Sequence, residues 1–99
     1  MPAYFIANID VTDPAGFERY REAVPPVIAR FGGRYLVRGG EVHAVEGAMP
    51  LKRLVILEFP TLDQARAFYD SADYAPLLAL RLATTRSEAV LVEGYAPPA

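Results

Sequence analysis

The chain of 99 residues contains no cysteine. That removes disulfides, thiol nucleophiles and thiolate metal sites together, and suits a reducing compartment. Its single histidine, His43, cannot build a multi-histidine metal centre, and the carboxylates show no spacing that favours an all-oxygen one. Neither a metal nor an organic cofactor is expected. Nor is there a basic block: 10 Lys and Arg against 12 Asp and Glu leave a formal charge of −2, which lacks the electrostatic footprint of a nucleic-acid binder. The N-terminal "MPAYFIANID" has no basic n-region. No apolar run approaches the roughly 20 residues of a membrane span. The expectation is a cytoplasmic protein with neither a nucleic-acid nor a membrane partner. A glycine-rich phosphate loop, a nucleophile elbow and an HExxH helix are also missing.

What is present is a globular balance, 53% apolar and 22% charged. The length suits one compact domain, read here as residues 1–95 with a short exposed tail at 96–99. "AYFIANIDV" reads as a strand bounded by Thr12-Asp13-Pro14. Asp13 then caps a helix with Pro14 at its first position. Phe17, Tyr20, Val24, Val27, Ile28 and Phe31 form that helix's apolar stripe. Pro25-Pro26 predicts a kink or restart within it, and Gly32-Gly33 its end. In "RYLVRGGEVHAVEG" the pair Gly39-Gly40 either closes a hairpin or bends one long strand. "RLVILEF" is the next strand, after a loop at residues 48–52. "TLDQ" has capping-box spacing and opens a helix through Phe68 and Tyr69. A break at Ser71 to Tyr74, with Asp73 as cap, precedes "YAPLLALRLATT", in which Arg81 is read as snorkelling to solvent. "SEAVLVEGY" is the last strand.

The order β-α-β-β-α-β predicts an α+β, ferredoxin-like sandwich with both helices on one face of a mainly antiparallel sheet. The first and third strands are read as adjacent and parallel. Strands one, three and four carry apolar residues at both parities, yet two helices cover only one face. The simplest cover for the other is a second copy of the chain. RNA-recognition modules share the element order, but "RLVILEFP" is acidic and lacks their basic, glycine-containing aromatic motif.

Candidate chemistry centres on Glu58 and Asp10. Placed at the ends of adjacent parallel strands, the two carboxylates would form an acid/base pair; the alternative is that each pairs with an arginine. Arg34 is a candidate clamp for a substrate carboxylate, and His43 a group that titrates near neutrality; otherwise they are a surface arginine and a half-exposed histidine. Asn8 either orients a ligand or satisfies a backbone group. Tyr69 and Tyr74 supply an aromatic wall or simply core.

Together "YFIANIDVTDPAGFERY", "GGRYLVRGG", "LVILEFP" followed by "ARAFYDSADY", and the final "LVEG" resemble the domain-of-unknown-function family 1330, nearly end to end. The resemblance implies a dimeric α+β barrel in which two ferredoxin-like sheets face each other. It also implies kinship with small monooxygenases and isomerases that need no cofactor and bind substrate between sheet and helices. Three functions are compatible with this reading. The first is a cofactor-independent enzyme acting on a small organic acid or aromatic compound. The second is a non-catalytic small-ligand-binding or regulatory dimer, and the third a purely structural dimer.

Overall fold

A computed structural model describes residues 1–98; residue 99, the last of the expected tail, lies outside it. The elements follow in the order β1 (Ala3–Val11), α1 (Pro14–Arg30), β2 (Arg34–Arg38), β3 (Leu54–Phe59), α2 (Leu62–Tyr69), α3 (Ala75–Thr84) and β4 (Thr85–Glu93). The four strands form one sheet in the order β2-β3-β1-β4, with every neighbouring pair antiparallel. This is the α+β, ferredoxin-like architecture.

One part of the expectation is corrected: β1 and β3 are adjacent but antiparallel. The α1 crossover brings β2 back parallel to β1 but one strand position away. β3 returns through the gap, opposed to both. The same pattern relates β3, the second helical segment and β4, so the fold is two interleaved β-α-β halves.

Helix α1 starts where Asp13 predicts: its carboxylate accepts a hydrogen bond from the Gly16 amide at 3.2 Å. Gly16 itself is required by packing, because a Cβ there would stand 2.6 Å from the Thr84 methyl carbon. The helix does not restart at Pro25-Pro26 but runs on to Arg30. Pro25 has no N–H to give the carbonyl four residues earlier, that of Arg21. The Arg38 guanidinium fills the vacancy, donating to the Arg21 oxygen at 2.8 Å.

Thr61 caps α2, accepting from the Gln64 amide at 3.1 Å. The return half of the capping box is replaced, since the Gln64 side chain donates to the Phe31 carbonyl at 3.3 Å and ties α2 to the end of α1. Asp73 does not cap α3; Tyr74 holds that position, and Asp73 pairs with Arg30 at 3.1 Å. Strand β4 follows α3 without a loop. The Thr84 and Thr85 hydroxyls stop the helix by donating to the Leu80 and Arg81 carbonyls at 2.8 and 2.6 Å.

Strand β2 ends at Arg38, so the Gly39-Gly40 pair closes no hairpin and bends no long strand. The irregularity in the ladder lies earlier, between Tyr35 and Val37. It matters because a bulge changes which face the following side chain meets. Tyr35 is paired with Leu57, Val37 with Ile56 and Arg38 with Val55, so Tyr35 and Arg38 both face the helices. Gly39 leaves the strand at φ +70°, and a Cβ on it would collide with the Arg53 guanidinium carbon at 2.6 Å. Residues 39–53 are loop.

The core lies between the sheet and the helices. Ala3, Phe5, Ala7 and Ile9 of β1 and Val55, Leu57 and Phe59 of β3 alternate inward. They pack on Phe17, Tyr20, Val24, Val27 and Ile28 of α1 and on Phe68 of α2. Phe68 is the hub, with ring centroids of Tyr74, Phe59 and Phe31 at 4.3, 5.3 and 6.2 Å. The opposite face, carrying Tyr4, Ile6, Leu54, Ile56, Val90 and Val92, has no cover among the described residues; Val90 is 59% exposed. Among the described residues no helix is long and apolar enough to cross a membrane.

Candidate functional site

The sequence-predicted residues do not gather into one site. Glu58 pairs across the ladder with Tyr4, while Asp10 lies further along β1, opposite Arg86 of β4. Six residues of strand separate them, roughly 20 Å, so they cannot act as a coupled pair of carboxylates. The cause is the antiparallel course of β1 and β3. Glu58 is held by Arg34, whose guanidinium donates to its Oε1 at 2.8 Å. Both side chains sit on the uncovered face of the sheet. Asp10 and Asn8 share a groove at the other end of that face with Lys52 and Arg86. Asn8 is a clasp for the loop: its amide donates to the Pro50 carbonyl at 3.0 Å, and its Oδ1 accepts from the Lys52 amide at 2.8 Å. His43 is on the exposed loop and not on a strand edge. Tyr69 and Tyr74 do meet, with ring centroids 5.9 Å apart. Tyr69 is half-buried and Tyr74 has no exposed surface.

A different set of residues converges on the helix side of the sheet. A slot opens between α1 and strands β2, β3 and β1. Its empty space is about 430 Å³ including the mouth, of which about 30 Å³ admits a water molecule, room for about two waters. Phe17, Tyr20, Val24, Tyr35 and Leu57 form apolar walls. Four arginines, Arg21, Arg38, Arg53 and Arg81, also line it, and among the described residues no Asp or Glu does.

Each arginine is placed by a distinct local cause. Arg81 is buried, at 2% exposure, against the expectation that it would snorkel. It sits on the inward side of α3, and the helix passes directly into β4, so its side chain lines the slot instead of reaching the outer surface. Its Nε donates to the Tyr74 hydroxyl at 3.3 Å and its Nη1 to the Ser87 hydroxyl at 2.6 Å. Among the described residues it has no carboxylate partner. Tyr74 and Tyr20 share a hydroxyl–hydroxyl bond of 2.8 Å, so phenols and guanidinium form one chain at the slot's floor.

Arg53 precedes β3 and lies over the Phe17 ring, 5.6 Å from its centroid. Its Nε is buried with no hydrogen-bond partner. Burial, and then the neighbouring charges of Arg21 and Arg38, push its pKa down. Arg38 reaches the mouth because the β2 bulge turns it inward, and it stacks 4.7 Å from the Tyr35 ring centroid. Arg21 is bound to Glu18 at 3.1 Å on the solvent side.

The electrostatics are one-sided. Burial, followed by Tyr74, pushes the Tyr20 phenol well above its ordinary value, and burial raises Tyr35 as well. Both are therefore neutral hydrogen-bonding groups at physiological pH and not bases. The slot offers donors and positive charge, and no group that would accept a proton near neutrality. Chemically, it can hold and stabilise an anion. No cluster among the described residues has the ligands for a metal ion.

Sequence reasoning offered Arg38 and Arg53 only as ion-pair partners for Glu58 and Asp10, and Arg81 only as snorkelling; it missed their meeting in this slot. The missing signal for Arg81 was its lack of any acid at three- or four-residue spacing along α3, where the nearest residues are leucine, alanine and threonine.

No curated protein matches the chain. Among solved structures it is similar to a protein of unknown function from Rhodopseudomonas palustris, with a TM-score of 0.77 and 16% identity, covering 97% of this chain and 84% of that one. It is similar also to SnoaB, a cofactor-independent oxygenase from Streptomyces nogalater, with a TM-score of 0.62 and 17% identity over 97% of this chain and 95% of that one. A dimeric ferredoxin-like protein of unknown function from Jannaschia sp. CCS1 matches with a TM-score of 0.65 and 13% identity, over 95% of this chain and all of that one (100%). At these identities the three share its fold. The sequence from residue 2 to residue 95 matches a family of its own, and the chain accordingly belongs to the family described as Domain of unknown function (DUF1330).

Proposed function

We propose that this protein is a homodimer in which each protomer binds a small organic acid in the slot between α1 and the sheet. One observation carries the reading: four guanidinium groups line an apolar slot that no carboxylate lines. Arg21 is paired with Glu18 and Arg38 is exposed, so the cost falls on Arg81 and Arg53: a buried charge without a carboxylate partner is costly, and an anionic ligand is the natural compensation. The apolar walls take the body of the ligand, and its acid group meets the arginines. The slot is narrow, so a ring enters only when the exposed Arg38 and the half-exposed Arg21 swing outward.

The homodimer reading rests on the uncovered face of the sheet, whose centre is Ile6, Leu54, Ile56, Val90 and Val92, and on the dimeric fold neighbour. Charging its centre with Ile56→Lys is expected to raise the dimer dissociation constant at least about thirtyfold, the effect of an interface hot spot of about 2 kcal/mol. Sedimentation velocity measures it; a wild-type chain that is monomeric at micromolar concentration removes the dimer from the proposal.

The shared fold with a cofactor-independent oxygenase suggests a chemistry for the same slot. Oxygenation without a cofactor needs a substrate that itself yields electrons to O₂, which an enolate or phenolate does better than its neutral acid. Four guanidinium groups favour such an anion. Oxygen uptake with phenolic acids tests this enzymatic reading.

The binding test is a thermal-shift series with benzoate and phenylacetate against benzamide and phenylacetamide. The acids are expected to stabilise the protein, by roughly 2.7 kcal/mol at 100 times the dissociation constant, and the amides are not. Equal shifts from acids and amides, or none from any acid, would sink the proposal.

A further inference from the structure

The positive charge in the slot is divided between two ends, and that division says more about the ligand than the total does. At the floor, Arg81 is joined to the Tyr74–Tyr20 hydroxyl pair, and all three side chains are buried. At the mouth stand Arg21, Arg38 and Arg53, carried by α1, β2 and the start of β3. Phe17 lies between the two ends, stacked on Tyr20 with ring centroids 5.7 Å apart and covered by Arg53.

We propose that the ligand carries two acidic oxygens on an aromatic or conjugated body: a carboxylate at the mouth and a phenol or enol oxygen at the floor. The proposal rests on the reading of the slot as an organic-acid site and names the substrate class within it. The mouth suits a carboxylate because guanidinium edges donate pairwise to its two oxygens. Arg53 has an unmet Nε buried just beneath the mouth, and Arg38, once the ring has entered, is held by the Arg21 carbonyl that Pro25 leaves free. The floor suits a single oxygen. Its donors are one guanidinium and whichever of the two phenolic hydroxyls is not donating to the other, in a buried setting where hydrogen bonds to an ionised oxygen are strongest. A buried cation with only hydroxyl partners favours the ionised form of whatever oxygen it meets. A phenol seated at the floor therefore loses its proton at lower pH than it does in water, with the proton passing to solvent. Arg38 and Arg81 have separate tasks, one recognising the carboxylate and the other setting the ionisation of the second oxygen.

Three coloured probes of nearly equal shape test this: 4-hydroxy-3-nitrophenylacetate carries both groups, 4-hydroxy-3-nitrophenylacetamide only the phenol, and 3-nitrophenylacetate only the carboxylate. Titration calorimetry gives affinities, and the phenolate absorbance gives the bound phenol's ionisation directly. The probe with both groups is expected to bind about tenfold or more tightly than either of the others, and its phenol to ionise at lower pH when bound. Arg38→Gln should abolish the preference for the acid over the amide while leaving the shift in phenol ionisation. Tyr20→Phe, which keeps the ring in place, should reduce that shift while leaving the preference. Arg81→Met should remove the shift altogether. If 3-nitrophenylacetate binds as tightly as the hydroxy acid, or the bound phenol titrates as in water or higher, the two-ended ligand is wrong while the organic-acid site stands. If none of the three binds, both fail.

Discussion

The two faces of the one sheet handle charge in opposite ways. On the uncovered face, acids and bases sit at the ends of the strands, around an apolar centre. Arg34 bonds Glu58 at 2.8 Å at one end, and Asp10 faces Arg86 across the ladder at the other. On the helix face, four arginines line the slot and no acid does, although one of them is 2% exposed. Charge at the rim of an open face is solvated and costs little whether paired or not. Charge at the buried end of the slot, where Arg81 has only hydroxyl partners, is costly, and keeping it there without a carboxylate makes sense only if something else supplies the negative charge.

The contrast can be broken at several points, beginning with the largest effect. Phe68→Ala on the helix face removes the ring that Phe59, Phe31 and Tyr74 pack against, and is expected to cost about 3–5 kcal/mol in a denaturant melt. A loss below about 1 kcal/mol would mean the core is not where the aromatic cluster places it. Arg81→Met runs the other way. Replacing a buried cation that has no carboxylate partner by an apolar residue of similar reach should leave the ligand-free protein as stable or up to about 4 kcal/mol more stable, while a phenol bound at the floor loses its lowered ionisation. Clear destabilisation of the ligand-free protein would show that Arg81 is structural.

The third point is pH. The Tyr20 phenol is pushed up from its model-compound value of 10.0, first by burial. A group whose folded pKa is raised binds its proton more tightly when folded. Its contribution is fully present below pH 10 and is lost as pH climbs from there toward the folded value. Melting temperature should therefore fall above about pH 10, and Tyr20→Phe should flatten that limb; an unchanged limb would assign it to other groups. The smallest effect belongs to the uncovered face. Glu58→Gln breaks an ion pair whose side chains are 70% and 23% exposed and should cost no more than about 1 kcal/mol, less in high salt. A cost several times larger would give Glu58 a role beyond the pair with Arg34.

Much of the fold was legible because its signals are local. Asp13-Pro14 and Thr61 start helices through side-chain and backbone contacts within four residues, and the alternation in β1 and β3 is a property of extended chain. The stripe through Phe17, Tyr20, Val24 and Val27 found its core for the same reason. The candidate site was not legible, because it depends on direction and register between distant segments. Glu58 and Asp10 looked like partners only if β1 and β3 ran parallel, and a single reversal separates them by most of the strand's length. Arg38 was a candidate ion-pair partner for the two acids, but a bulge two residues before it turns it to the other face. The loop after Gly39 resembles a strand in composition, but as an extension of the edge strand β2 it has no ladder to join within the chain.

By itself, then, the sequence determined the order of helices and strands, where α1 and α2 begin, and that the sheet carries more apolar surface than its own helices cover. Those properties follow from short-range sterics, capping and periodicity. Tertiary structure alone decided that the acids stand at the ends of the open face while the arginines collect under the helices. Which side of a sheet a residue faces is set by strand direction and by single-residue shifts of register, and both are settled by partners far away in the chain.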